Sequence, residues 1–285
     1  MVRVLVLLIS VCLFTAVASA QRVDDILLLA GRFVQDASER LSGVIADETY
    51  EQESSAQYVA SGINTRTGRR ALRSEALFMW VPVASQWLFV RNVLTVDGRP
   101  VPDSGDRLDR LLRDSGPDAG AALRQLQQEN ARFDIGPVVR TLGDPTFALR
   151  YLDLDSQRRF SFSRAGTERI GGVLSTMVTY RERRRPFVVT VDRMDALSSG
   201  TMWIDDANGA VLRTNLRVTR PSGRGTFAVI TVDFDKDARL GIWAPTRMSE
   251  QYNSVTGQTT KGTASYANFR RFGASVRIVP AEPPN

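Results

Sequence analysis

Several strand-length segments of this chain are apolar on both faces, and that restricts its fold more than any motif it carries. In Phe227–Phe234, Phe227 and Val229 fall on one side of an alternating pattern, while Ala228, Ile230, Val232 and Phe234 fall on the other. In Thr201–Ile204, Met202 and Ile204 oppose Trp203. In Trp87–Val96, Trp87, Phe89 and Val93 oppose Leu88, Val90, Leu94 and Val96. An antiparallel sheet usually leaves one face to water, so a sheet built from such strands must be covered on both. Helices can cover one face, while the other closes on itself or lines a cavity. A sheet curved around helices leaves an apolar concavity of the kind that takes a ligand. A fully packed two-layer core would use the same residues and leave none.

Helices are available. Val23, Ile26, Leu27, Ala30, Phe33, Val34 and Leu41 recur at three- and four-residue spacing, and Asp24 and Asp25 sit where a helix N-terminus favours anions. The spacing predicts a helix over 22–42 that stops at Gly43. A second helical stretch is expected at about 103–145. Leu108, Leu111 and Leu112 make one short stripe there, and Ala119, Ala122, Leu123, Leu126 and Phe133 make another after Pro117. Strands are expected at Val44–Tyr58, Ala71–Val81 and Trp87–Val96, then at Ala148–Leu154, Arg158–Ser163, Val173–Tyr180 and Phe187–Val191. Thr201–Asp205 and Ala210–Thr219 flank Asn208-Gly209, a strong hairpin signal. Phe227–Phe234, Arg247–Asn253, Lys261–Phe269 and Ala274–Val279 complete the series. The fold class is α+β: a curved antiparallel sheet of roughly ten strands with an N-terminal helix and a helical insert.

The N-terminus reads as a secretory signal. Arg3 precedes the apolar run Val4–Val11, and Ala18-Ser19-Ala20 is a small-x-small cleavage site. Residues 1–20 are therefore a signal peptide, and the protein is periplasmic or secreted after cleavage near Ala20. Residues 21–279 form a single domain, and the Pro-rich tail 280–285 is expected to be disordered. The only cysteine, Cys12, lies inside the signal, so the mature chain has no disulfide and its stability rests on burial. The chain has no histidine, which together with the missing thiol excludes a Ser-His-Asp relay, a thiolate nucleophile and a Cys/His zinc cluster. The two lysines, Lys236 and Lys261, are expected in polar turn-like settings that do not suit a Ser-Lys pair. The formal charge of +6 is almost entirely arginine. It suits anionic lipid or cell-wall polymer, or simply a solvated basic surface, and the exported compartment makes nucleic acid a poor partner.

Two acidic constellations resemble sites that carry chemistry. Asp233-Phe234-Asp235-Lys236-Asp237 starts like a calcium loop, but Ala238 and Ala244 stand where glycine and glutamate are required. Asp153 and Asp155 would share one face of a strand, as an acid/base pair would need. Nothing else marks a sugar site. No catalytic residue, metal site or cofactor is assigned, and the protein is read as non-catalytic. Among basic segments, Arg181-Glu182-Arg183-Arg184-Arg185-Pro186 is the densest, and Arg270-Arg271 lies between Phe269 and Phe272. Arg183, Arg184, Arg185, Arg270 and Arg271 are the candidate contacts for an anionic headgroup or a partner.

The order of elements, together with Gly200-Thr201-Met202-Trp203-Ile204-Asp205 and Asn208-Gly209-Ala210-Val211-Leu212-Arg213, resembles the periplasmic lipoprotein-carrier fold of LolA and LolB, which LppX and RseB share. The later Leu240–Pro245 and Ala264–Arg270 resemble segments of exported proteins with the same C-terminal layout. The resemblance implies a half-open β-barrel whose helices, the insert included, pack on its concave side and plug its mouth, around a hydrophobic cavity for acyl chains. It also implies an arginine that holds the lid helices closed, although no arginine of this sequence aligns with that role. Lacking a lipidation cysteine, the chain is expected to be a soluble, LolA-like member. The expected role is carriage of a lipid or acylated protein, with Trp87, Phe89, Met202, Ile204, Phe227 and Val229 lining the cavity. The alternative is an interaction or envelope-sensor module with a filled cavity, which meets a membrane surface or an envelope protein.

Overall fold

The structure is a computed structural model that describes residues 23–55, 68–81, 86–114, 119–138, 140, 142–223 and 225–272. The expected signal peptide, the strand expected at Ala274–Val279, Pro117 and the C-terminal tail lie outside these residues. Helix α1 spans residues 23–41. Strands β1 (Val44–Ser55), β2 (Gly68–Val81), β3 (Gln86–Val96) and the two-residue β4 (Arg99–Pro100) follow, then helices α2 (Arg107–Asp114) and α3 (Ala119–Asn130). Three 3-10 segments, at Ala131–Phe133, Phe147–Leu152 and Gln157–Arg159, lead to the second meander. It comprises β5 (Phe160–Ile170), β6 (Val173–Glu182), β7 (Val189–Val191), β8 (Met194–Asp205), β9 (Val211–Thr219), β10 (Thr226–Lys236), β11 (Trp243–Asn253) and β12 (Thr259–Arg271).

Every described strand pairing is antiparallel. The sheet runs β4-β3-β2-β1-β12-β11-β10-β9-β8-β6-β5, with β7 added to β8. The two meanders join where β1 meets β12, and β4 and β5 are open edges. One core cluster nevertheless contains Phe89 on β3 and Val178 on β6. Eight inter-strand spacings separate those strands, which is roughly 38 Å in a flat sheet. A single cluster across that width requires the sheet to curl around its contents without closing.

Helix α1 is what it curls around. Its buried residues, Val23, Ile26, Leu27, Ala30, Val34 and Leu41, are the expected stripe, and Asp24 and Asp25 face solvent. Phe33 meets Trp243 of β11 edge-on at 5.8 Å, and the Trp243 indole donates to the Val211 carbonyl. The helix ends at Gly43, whose backbone joins the sheet through Phe78 and Phe272.

The helical insert divides. Helices α2 and α3 cover the outer face of β1–β3, packing Leu108, Leu112, Leu123 and Leu126 on Ile45, Leu77, Met79 and Val90. The chain from Phe133 to Leu152 turns into the concave side instead. Strand β3, one of the three segments apolar on both faces, is thus covered on both, and β2 beside it is covered in the same way. Elsewhere the outer face manages with less, since Trp203 is half-buried between the Arg213 guanidinium and the Glu168 carboxylate.

Two expectations are corrected. Ala148–Leu154 is no strand but a 3-10 turn over Phe147–Leu152 that buries Ala148, Leu149, Tyr151 and Leu152. Asp144 fixes its start by accepting the backbone and hydroxyl donors of Thr146. Asp153 therefore shares no strand face with Asp155; it accepts the Asp155 backbone N–H in a turn. Among the described residues no group of acids is placed to hold a metal ion, and no helix is long and apolar enough to cross a membrane.

At Gly209 the backbone has φ +76° and a Cβ would lie 2.5 Å from the Leu29 carbonyl carbon of α1. Gly223 has a similar φ of +71° with open space around it. Gly223→Ala should cost the conformational term alone, about 1–2 kcal/mol. Gly209→Ala should cost clearly more in urea denaturation, because α1 must shift as well. Equal losses would show that the 205–210 turn does not seat the helix.

Candidate functional site

The inward face of β1 is apolar at its start, with Val44 and Ala46, and then becomes polar with Glu48, Tyr50 and Gln52, all buried. Opposite lie Arg91 on β3, Glu250 and Tyr252 on β11, and Tyr266 on β12. Arg91 donates twice to Glu48, one bond measuring 2.7 Å, and its guanidinium stacks 4.3 Å from the Tyr50 ring centroid. Tyr50 donates to Glu250, and Tyr252 donates to the same carboxylate at 3.1 Å. Gly262 makes room for this meeting, since a Cβ there would lie 2.6 Å from the Tyr50 hydroxyl and 2.7 Å from Glu250.

Arg140 enters this cluster from the segment that turns into the concave side. It donates to the Tyr50 hydroxyl and to the Ile135 carbonyl, and lies 3.5 Å from Glu250 and 3.6 Å from Asp134. Its side chain is 3 % exposed, and its Nε is buried without a partner among the described residues. Arg140 therefore ties the covering segment to the floor of the sheet. A cavity of about 390 Å³ opens beside it, lined by Tyr50, Phe89, Arg91, Asp134, Arg140 and Glu250 among others.

Glu48, Asp134 and Glu250 share the guanidiniums of Arg91 and Arg140, and burial acts on two of the three. It raises the Glu250 carboxyl above its ordinary range against the pull of Arg140 and Tyr50, and it raises Asp134 against Arg140. Burial and the Glu250 charge together push the Tyr50 phenol well up, so it remains a neutral donor. The arrangement supplies attachment and a small polar chamber at one end of a large apolar concavity. Each buried charge is matched within the protein, as burial requires.

Of the residues expected to line a cavity, Phe89, Met202, Ile204 and Phe227 lie in the concave core. Phe227 is there because a bulge between Thr226 and Ala228 puts both Phe227 and Ala228 inside. Trp87 is half-buried at the rim, edge-on to Trp80 at 5.6 Å. Val229 pairs with Arg217 and Gln251 on the outer face, away from the others. The basic candidates separate too. Arg183 and Arg184 are exposed, Arg185 pairs with Asp195, and Arg270 pairs with Asp47 and Glu75 across the outer face beside the exposed Arg271. The buried cluster of Glu48, Tyr50, Arg91, Arg140 and Glu250 was missed. Its signal was present in the text, as polar residues standing on the apolar side of β1 and an arginine interrupting Phe89–Val93.

No family model and no curated protein matches the chain. Solved structures similar to it include an outer membrane lipoprotein-sorting protein domain from Vibrio parahaemolyticus, at 11% identity and a TM-score of 0.36, covering 86% of this chain and 93% of that one. A DUF1329 family protein from Desulfovibrio piger matches at 12% identity and a TM-score of 0.35, covering 86% and 95%. A LolA superfamily protein from Nitrosomonas europaea matches at 10% identity and a TM-score of 0.30, covering 88% and 95%. These are likenesses in a low range of score. The open, curved antiparallel sheet with a helix in its concave face is a feature of this chain itself.

A carboxyl raised in the folded protein keeps its proton where the unfolded chain has lost it. The stabilisation is full below the ordinary carboxylate range and is lost as pH rises through the raised value. Glu250→Gln removes that titration. In urea denaturation from about pH 4 to about pH 8, the stability gap should move steadily against the wild type. A gap moving toward the wild type would mean that Arg140 holds Glu250 ionised.

Proposed function

We propose that the protein is a non-catalytic envelope binding or carrier protein for a hydrophobic ligand, a lipid or a lipoprotein acyl chain. In this reading α1 and the Phe133–Leu152 segment fill the concavity when it is empty of ligand. The observation that carries it is the apolar concave face of the open sheet, which helix α1 occupies. The magnitudes support an exchange. Withdrawing Val23, Ile26, Leu27, Val34 and Leu41 costs about 1.5–3 kcal/mol each, and a chain of about sixteen methylenes recovers about 0.8 kcal/mol per group, so both sums are on the order of 10 kcal/mol. Arg140 is the tie that must loosen with the segment, and the polar chamber beside it is a place for the head of an amphipathic ligand.

A second reading is an interaction or envelope-sensor module on the same fold. It draws support from the completeness of the filling, since Met202 and Ile204 are wholly buried by the protein's own side chains.

Native mass spectrometry with lipid extraction, on protein purified after export, separates the two readings. A lipid at stoichiometric amount is expected. Phe33→Ala, which loosens α1 from Trp243, should raise the uptake of a fluorescent fatty acid several-fold. A lipid-free mass, with no uptake by wild type or variant, would remove the carrier reading and leave the module.

A further inference from the structure

The turn after β6 is basic, and the structure shows it to be held rigidly. Glu182 is 1% exposed; it accepts the Val188 backbone N–H at 2.9 Å and lies 3.5 Å from Arg159. Arg159 in turn donates to the carbonyls of Arg184 and Pro186, and the Arg183 backbone N–H donates to the Arg159 carbonyl. Arg185 lies over the Phe187 ring and pairs with Asp195, which ties the turn to the start of β8. Arg159, Glu182 and Arg185 are thus consumed in shaping a platform. Arg158, Arg181, Arg183, Arg184 and Arg193 remain exposed around it, and none has an ion-pair partner among the described residues. Met194, 55% exposed, stands beside Arg193 at the β7–β8 tip. The nearby acid Asp195 is already paired, leaving Asp192 as the one exposed carboxylate on that tip. Arg181 extends the patch onto the outer face, where it and Arg217 flank a shallow trough of hydroxyls that includes Ser163, Thr179, Ser199 and Thr201.

We propose that this end of the sheet is a docking surface for an anionic phospholipid bilayer, with the free arginines on lipid phosphates and Met194 in the headgroup layer. Charge complementarity selects this partner. Several unpaired guanidiniums on a fixed platform, with one exposed apolar side chain among them, match a plane of phosphates. The inference does not depend on what the concavity holds, because none of these residues lines it.

The test is co-sedimentation of the exported protein with phosphatidylglycerol vesicles and with phosphatidylcholine vesicles. Binding to the anionic vesicles alone is expected, and it should fade as salt rises from about 0.1 M to about 0.5 M. Each arginine near an anionic surface contributes roughly fivefold, so the combined Arg181→Gln, Arg183→Gln, Arg184→Gln variant should lose at least about tenfold. A control variant with Arg73→Gln, Arg99→Gln and Arg113→Gln removes the same charge from exposed positions on β2, β4 and α2, and it should bind as wild type does. An equal loss in the control would reduce the effect to net charge and overturn the proposal. So would equal binding to both vesicle types, or no binding to either.

Discussion

Everything in this fold depends on α1 filling the concave face of an open sheet. The strands that form that face carry too much apolar surface to leave it to water, and the sheet does not close on itself to hide it. The curl of the sheet, the seating of the 205–210 turn against Leu29 and the inward course of the Phe133–Leu152 segment all follow from that one contact. With a single cysteine in the sequence no internal disulfide can form, and burial alone holds the arrangement.

The concave face changes character along its length. It is aliphatic and aromatic under α1, and polar where β1, β3 and β11 meet beneath Arg140. Burying charged groups does little for stability in itself, but it fixes which parts must meet, because a charge withdrawn from its partner is costly. Arg140 therefore registers the covering segment on the sheet more specifically than packing could. The raised carboxyls around it make that attachment sensitive to proton concentration.

The architecture was legible where periodicity is strong. The α1 stripe gave the C-terminal end of the helix to within a residue, and the Asn208-Gly209 hairpin and the meander order follow the sequence pattern. Of the three segments apolar on both faces, β3 is covered on both, whereas β8 and β10 leave Trp203 and Val229 half-buried on the outer face. What failed were the places where local geometry departs from a simple period. Ala148–Leu154 is apolar enough for a strand, but its anchoring at Asp144 and Asp153 coils it into a 3-10 turn. The bulge before Ala228 separated Phe227 from Val229, which alternation had joined. The buried ionic cluster draws its members from positions as distant as Glu48 and Glu250, so spacing along the chain could not assemble it.

Hydrogen exchange on the native protein tests the role given to α1 most directly. If α1 is a displaceable cover, its amides should exchange through an opening well below the free energy of global unfolding, while the amides of β9 and β10 stay protected up to that limit. Exchange of α1 only with global unfolding, at the same free energy as β9 and β10, would contradict the account and make the helix permanent core.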